Sequence, residues 1–453
     1  MHRIAASALL IASVWMPLRA ADEPIVVSTD HPRLFLRPQR LRLLRRERER
    51  QSMRWQQLEA LVAGNAAMPE PGFALALYYE VAGDQAVGRR AVAWALGAAD
   101  LRQMALVYDW CQPLMSEADR RALAARMTKR LAENPVDESI PTARARALAA
   151  VALFDEVPQT PQHELERLAY TWWRNRIVRV AGSGRNPVPR DDVYALMEFL
   201  HAFQDNADLD LRETARGFFK DLPIDHLMSY YPAPFEDAEN DFYIGAMPRP
   251  GNPDMQLAAL SRAADLAIVA YDVNAPETQV LQGWLMHDRY ILHGPFGAPY
   301  EFLWANPYQP GLSYYHVPLV FYNPDLGRLY ARSGWDDTAE WFGLFDGVAQ
   351  RFTDGHPSTV NPRSATEAID LHQAAICFSH AAAGQFLHLK LPDEEPVFVI
   401  GLQPRHTYIV EVDDEEMMEA SADVGGILEL DGVPHGRPVE VRIGEPEAVR
   451  RTQ

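Results

Sequence analysis

Trp341-Phe342-Gly343-Leu344-Phe345-Asp346-Gly347 decides how this chain divides. Four large apolar residues around one glycine suit a pleated, buried surface, and Asp-Gly tolerates the positive φ angles of a tight hairpin. The stretch is a strand entering a turn. More strands follow it. Phe386-Leu387-His388-Leu389-Lys390-Leu391 alternates strictly, Pro396–Ile400 and Thr407–Val412 are short apolar or alternating runs, Gly426–Gly432 is strand then turn, and Val439–Ile443 closes the chain. Alternation at period two with turn residues between the runs reads as a β-sandwich-like module.

Before that stretch the texture is helical, from about Pro38 to Val320, and it changes near residue 325. Apolar residues at helical spacing predict helices over Arg40–Gln56, Phe73–Val81, Ala86–Leu96, Leu101–Trp110, Ala143–Phe154, His163–Val178, Asp191–Asp205, Leu211–Phe219 and Gln256–Tyr271. Ala82-Gly83-Asp84 is a stop, and Ser116, with Asp119 three residues on, is an N-cap opening a further helix. Many helices joined by short Pro/Gly breaks make stacked hairpins, arranged as a solenoid or a closed ring. No fixed-period repeat supports a regular solenoid.

Composition narrows the partners. The 453 residues carry a formal net charge of −19, a poor balance for binding nucleic acid or an anionic membrane. An acidic polysaccharide is not excluded, because a local cluster of cations governs a cleft. The N-terminus has a short basic start with Arg3, an apolar run from Ile4 to Met16 and a small-residue exit at Ala20-Ala21. That is the pattern of a signal peptide over residues 1–21, too short for a membrane span of roughly 20 apolar residues. Its removal would take away Arg3 and Arg19, leaving −19 − 2 = −21. The expected location is periplasmic or secreted. Cys111 and Cys377 are far apart and expected as free, buried thiols. No Cys/His spacing suits a metal, so neither metal nor cofactor is expected. The acidic run Glu411–Glu416 lacks the glycine-punctuated spacing of a calcium loop and reads as a solvated charge run. Oligomeric state is not readable.

The segment Tyr300–His316 is dense in aromatic rings with polar tips, and its prolines and glycine argue against a plain helix. Rings of this kind stack on the apolar faces of sugars while their tips bond hydroxyls. Glu301 and Asn306 are the expected hydroxyl partners, Trp304 and Tyr308 the stacking platforms, and Tyr314 or His316 the proton donor. Tyr230–Tyr243 is a second functional candidate, a long irregular loop of aromatics and carboxylates that includes Tyr231 and Glu239. A third lies on the helix from Asp191, where Tyr194, Glu198 and His201 fall about one turn apart and His201 is of a type suited to proton transfer.

In order along the chain, several motifs resemble those of the heparinase II/III-like polysaccharide lyases and related alginate lyases. His31-Pro32-Arg33-Leu34-Phe35-Leu36 is similar to the opening of that family's toroid. Tyr78–Asp84, and Val107-Tyr108-Asp109-Trp110 followed by Leu114-Met115-Ser116, are similar to two of its helix ends. Leu329-Tyr330-Ala331-Arg332-Ser333-Gly334-Trp335 resembles its first β-strand. The resemblance implies a multidomain α and β protein: an (α/α) toroid over 22–324 followed by a small antiparallel β-sandwich over 325–453. It implies an acidic polysaccharide bound between them and cleaved at a uronate by β-elimination. Tyr243, after an acidic stretch, fits the family's catalytic tyrosine; Arg249 is the nearest cation in sequence to lower its proton affinity. Asn186 fits the amide that neutralises the uronate carboxyl. The family's β-domain has a histidine-rich stretch where this chain has Gln350–Pro357, with His356 as its one histidine.

Two other readings stay open. Glu236, Asp237, Glu239, Asp241 and Glu301 offer carboxylate pairs for a glycoside hydrolase, which needs two roughly 5–9.5 Å apart. A relative that binds carbohydrate without catalysis is the third.

Overall fold

In the computed structural model the described residues are 24–235, 242–249, 253–379, 387–390, 396–413, 416–430 and 438–444. The expected signal peptide, Glu236, Asp237, Glu239, Asp241 and residues 414–415 of the acidic run lie outside them. Within them the chain is a helical toroid followed by a β-sandwich.

The helices are α1 (Pro38–Glu49), α2 (Met53–Ala63), α3 (Pro71–Ala82), α4 (Gln85–Gly97), α5 (Leu101–Trp110), α6 (Glu117–Ala132), α7 (Ile140–Leu153), α8 (Gln159–Glu166), α9 (Arg179–Ala181), α10 (Val193–Ala207), α11 (Arg216–Met228), α12 (Met255–Tyr271), α13 (Pro276–Asp288) and α14 (Gly294–Trp304). Between α8 and α9 the rod continues in π-helical turns. Helices α3, α5, α7, α10, α12 and α14 pack in that order, each on the next, and α14 returns to α3 and α2, so they form a closed inner ring. The ring helices are apolar nearly all round: every residue of α5 is buried, and so is nearly every residue of α10. The others lie outside.

Capping chemistry sets many boundaries. The Ser116 hydroxyl accepts the Asp119 N–H at 3.1 Å, as expected, and Asp84, Asp100 and Asp254 cap α4, α5 and α12 in the same way. The helix expected over Arg40–Gln56 is instead two, because Ser52 accepts the Trp55 N–H and starts α2 afresh. Tyr300–Trp304 is the last turn of α14, not irregular chain. Pro295 sits in its first turn, where a proline costs nothing, and Pro299 is tolerated one turn further in.

The arm of residues 24–37 covers one end of the ring. Asp109, at the end of α5, accepts the N–H groups of Arg33 and Leu34 at 2.9 and 2.8 Å and bonds His31 at 2.6 Å; Trp110 donates to the Leu34 carbonyl at 2.9 Å. Two of the motifs noted in the sequence therefore meet in one joint.

The sandwich begins at β1 (Val320–Asn323) and continues with β2 (Arg328–Arg332), β3 (Trp341–Phe345), β4 (Val348–Thr353) and β5 (His356–Val360), an antiparallel meander in chain order. Asp346 and Gly347, at φ 48° and 77°, form the two-residue hairpin expected between β3 and β4. Alternation along β3 explains why it is buried throughout: Trp341 and Phe345 join the toroid core, and Phe342 and Leu344 join a second core behind the sheet. That second core is shared with β6 (Ile369–Asp370), β7 (Ala375–Phe378) and β9 (Val397–Ile400), whose sheet β12 (Leu428–Leu430) completes. A third layer, of β8 (Leu387–Lys390), β10 (Thr407–Val412), β11 (Glu416–Ser421) and β13 (Pro438–Gly444), packs on the far side. The middle sheet is covered on both faces. Its strands β7 and β9 are buried along their whole length and run parallel, which departs from the all-antiparallel expectation.

Candidate functional site

At the ring end opposite the arm, residues 230–235 and 242–245 make an antiparallel pair held by bridges Tyr230–Gly245 and Phe235–Phe242. It is clamped between the toroid and the meander sheet. Trp341 donates its indole N–H to the Met228 carbonyl at 2.8 Å, and the Tyr231 hydroxyl donates to Gln350 Oε1 at 2.7 Å. This places Tyr243 at the seam.

Helix α13 and the chain after α14 supply the opposite wall. Gly283 and Gly311 cross in direct contact: a Cβ on Gly283 would stand 1.8 Å from the Leu312 carbonyl oxygen, and one on Gly311 would stand 2.5 Å from the Gly283 nitrogen. The Leu312 N–H donates to the Gln279 carbonyl at 2.8 Å. This crossing lays Tyr314-Tyr315-His316 against the face of α13 that carries Trp284 and His287.

The result is one aromatic cluster. Tyr243 meets Trp284 edge-on at 4.8 Å, Trp284 meets Tyr314 at 5.2 Å, Tyr314 meets Trp335 at 5.1 Å, and His287 lies 5.1 Å from Tyr314. Arg332 stands over the Trp335 ring at 3.9 Å. Tyr315 is 58 % exposed and stacks on Tyr314 at 4.4 Å, so the cluster opens to solvent on that side.

Its hydrogen bonding is incomplete. Trp284 Nε1, Trp335 Nε1, Tyr314 OH and Arg332 Nη1 are buried without a partner; the Tyr315 hydroxyl lies beside that of Tyr314. Four unpaired donors in one patch are costly unless something else accepts from them. Arg332 is the sharpest case. It is 1 % exposed, donates from Nε to the Gly334 carbonyl at 2.8 Å and has no carboxylate bonded to it, so burial pulls its proton affinity down to about 10.

Tyr243 is set up as a proton donor. Burial first, then the hydrogen bond to Asp337 at 2.5 Å and the charges of Asp337 and Asp288, push its phenol above the ordinary value, with Arg332 pulling the other way. Tyr314 is raised in the same direction, by burial and by Tyr315. Asp288 is held by Arg262 at 2.5 Å and accepts the Tyr243 backbone N–H.

Of the residues expected from sequence, Tyr243 and Tyr314 come together here, with exposed His316 two residues beyond Tyr314. Others lie elsewhere. His201 is 4 % exposed, bonded to the Ala267 carbonyl at 3.2 Å and packed on Trp304 at 4.5 Å. Trp304 is 2 % exposed and donates to the Tyr194 hydroxyl, so neither face is open to a sugar. Tyr194 donates to Glu198 at 2.7 Å, as their spacing suggests, but inside the ring, where Glu198 also takes Arg102 and Arg144. Both oxygens of Glu301 are taken, by Arg54 at 2.8 Å and the Leu292 N–H at 3.2 Å. Tyr231 is buried between Trp341 and Phe352. Asn186 bonds Asp346 at 3.0 Å, beside Arg328 rather than the aromatic cluster. Tyr308 is 45 % exposed and tied to Glu47 and Arg50, and Asn306 accepts the Tyr308 N–H at 3.2 Å. Arg249 is exposed, and the cation acting on Tyr243 is Arg332.

Trp284, His287 and Asp337 were not singled out by sequence. Arg332 and Trp335 stood inside a quoted motif without a role. Trp284, Trp335 and Arg332 share a buried polar tip, which only the fold reveals, while His287 and Asp337 are exposed and are marked by their contacts with Tyr314 and Tyr243. Among the described residues no three His, Cys, Asp or Glu side chains gather as a metal site, and no helix is long and apolar enough to cross a membrane.

No family model matches the chain, and no curated protein matches it. Among solved structures, a chain titled "Glycoside hydrolase" is similar over 83 % of this chain and 71 % of its own, at 8 % identity and a TM-score of 0.28. A likeness that slight carries no weight for the chemistry below.

Proposed function

We propose that this is an exported carbohydrate-active protein that cleaves a uronate-containing polysaccharide by β-elimination at the Tyr243–Arg332 cluster. The observation that supports it most is Arg332, a buried guanidinium with one unbonded amine beside three other unpaired donors. A buried cation without a counter-ion calls for an anion, and a sugar carboxylate supplies one together with hydroxyls for the indole and phenol donors. Exposed Tyr315 gives the ring face a sugar stacks on.

In this reading Arg332 binds the uronate carboxylate and makes the C5 proton easier to remove. His287 takes that proton, imidazole being suited to the task near neutrality. The C5–H electron pair becomes the C4=C5 double bond as the C4–O bond breaks, and Tyr243 gives its proton to the leaving oxygen. Exchange with water resets both groups. The role assigned to Tyr243 is thus the acid rather than the base expected from sequence, because its surroundings favour the protonated phenol.

The test is a product screen on alginate, glucuronan, heparan and pectin, with ultraviolet absorbance and reducing ends measured together. Elimination gives both signals in step. Reducing ends without absorbance would replace the lyase by a hydrolase, and neither signal with retained binding would leave a carbohydrate-binding protein.

A further inference from the structure

The flank of α13 turned away from Trp284 and His287 carries Gln282, Leu285, Met286 and Arg289, and these line a cavity of about 260 Å³. Arg54, Arg262, Glu301 and Asn306 complete its wall. Three arginines thus face one carboxylate, in a chain whose net charge is −19.

The single carboxylate is already spent: Glu301 is 2 % exposed, with one oxygen on Arg54 and the other on the Leu292 N–H. Arg262 is 5 % exposed and bonds Asp288 and two carbonyls through its amines, while its Nε has no partner. Arg289 ends α13 in the left-handed conformation, at φ 56°, is exposed, and forms no ion pair among the described residues. Asn306 uses its oxygen on the Tyr308 N–H, which leaves its amide nitrogen as a donor. With Arg54 paired to Glu301 and Arg262 to Asp288, Arg289 is the cation left over on this wall, beside the unbonded Arg262 Nε and the Asn306 amide.

We propose that this cavity is a second subsite, which binds the carboxylate of a sugar acid between Arg289 and the Arg262–Asn306 wall. The inference deepens the reading given above and rests on it for the identity of the sugar. The loop that crosses α13 at Gly283–Gly311 joins the two places: Asn306 borders this cavity, and Tyr314 and Tyr315 border the aromatic cluster. A helix with its side chains is about 10–12 Å across, so a glycan bound at the cluster reaches the cavity within a few residues.

Calorimetric titration of glucuronate, glucose and glucose 6-sulfate into the full chain and Arg289→Ala tests the subsite. Glucuronate should bind the unaltered chain at two sites, the Arg332 cluster and this cavity, glucose should not bind, and Arg289→Ala should weaken one of the two by about tenfold or more. Arg289 is exposed, so the variant keeps the fold, and circular dichroism checks this. Equal glucuronate affinity at both sites in Arg289→Ala, or binding of glucose as tight as glucuronate, overturns the subsite. Tighter binding of the sulfate ester overturns the carboxylate assignment. If no polysaccharide is cleaved but Arg289→Ala still weakens glucuronate, the subsite stands and the lyase reading falls. If cleavage is found and Arg289→Ala leaves KM unchanged for every chain length, the subsite falls alone.

Discussion

Two of the polar clusters among the described residues differ in how completely they are paired. Inside the ring, Glu198 accepts from Arg102 at 2.6 and 2.8 Å, from Arg144 at 3.0 Å and from the Tyr194 hydroxyl at 2.7 Å, and Tyr194 in turn accepts from Trp304 at 2.9 Å. At the seam, Trp284, Trp335, Tyr314 and Arg332 each keep a buried donor with nothing to bond, whereas the ring cluster leaves Arg144 Nε unbonded, its Arg102 Nη1 standing 3.0 Å from Glu70. Residue types alone do not separate the two, since both hold aromatics, arginine and a carboxylate. Paired groups hold a fold together, and buried unpaired ones are where a ligand or an ordered water can bond. The comparison therefore assigns structure to the first cluster and chemistry to the second.

The sharpest way to break that assignment is to strike the paired cluster. Glu198→Gln leaves Arg102 and Arg144 without their shared charge and should cost about 3–5 kcal/mol of unfolding free energy, read by urea denaturation. The arginines hold the Glu198 carboxyl below its ordinary value against the opposing effect of burial. Its folded value is thus depressed, so its contribution is present above the unfolded carboxylate range and lost as pH falls through the native one. The variant should accordingly lose part of the acid limb of the stability curve. An unchanged urea midpoint would mean the ring does not depend on this cluster. At the seam the expected loss is of rate. Tyr243→Phe keeps the ring packing on Trp284 but removes the proton donor, and kcat should fall roughly 10²–10⁴-fold with the urea midpoint nearly unchanged. Wild-type turnover in that variant would remove Tyr243 from the mechanism.

The same comparison shows how far the sequence could be read. Apolar period and turn chemistry showed the helices, the Ser116 cap and the Asp346-Gly347 hairpin, because those signals are local. Pro276–Asp288 and Gly294–Trp304 were not among the expected helices, since prolines in or near them read as breaks while packing on α11, α12 and α2 holds them helical. At the site, sequence brought Tyr243 and Tyr314 forward but gave the same standing to His201, Glu301 and Trp304, which the ring buries. Arg249 was preferred over Arg332 by nearness along the chain, yet the charge that acts on Tyr243 is that of Arg332, on β2 and far off in sequence. Whether a polar tip is paired is decided by residues far away in sequence, and no local pattern carries that information.

Trp304→Phe tests that correction with a smaller effect. The variant loses the bond to Tyr194 and some packing on Phe35 and His201, about 2 kcal/mol in all. Because Trp304 touches no open surface, KM for any cleaved glycan should stay unchanged. A rise in KM without loss of stability would return Trp304 to the binding surface expected from sequence.

The finest comparison lies within the seam. Asp337 raises the Tyr243 phenol through its hydrogen bond and its charge, both secondary to burial. Asp337→Asn removes the charge and leaves burial in place, so the phenol should ionise at lower pH than in the unaltered chain while staying above an ordinary tyrosine. A reaction that needs Tyr243 protonated then loses activity earlier on the alkaline side, with little change near neutrality. A raised phenol also stabilises the folded chain below the ordinary tyrosine range, and that contribution fades as pH rises through the folded value. Circular dichroism must therefore accompany each kinetic point, to keep unfolding apart from ionisation. A shift of the alkaline limb at constant folded fraction marks Tyr243 as the acid. A shift of the acidic limb instead would make Tyr243 the base and hand the donor role to Tyr314.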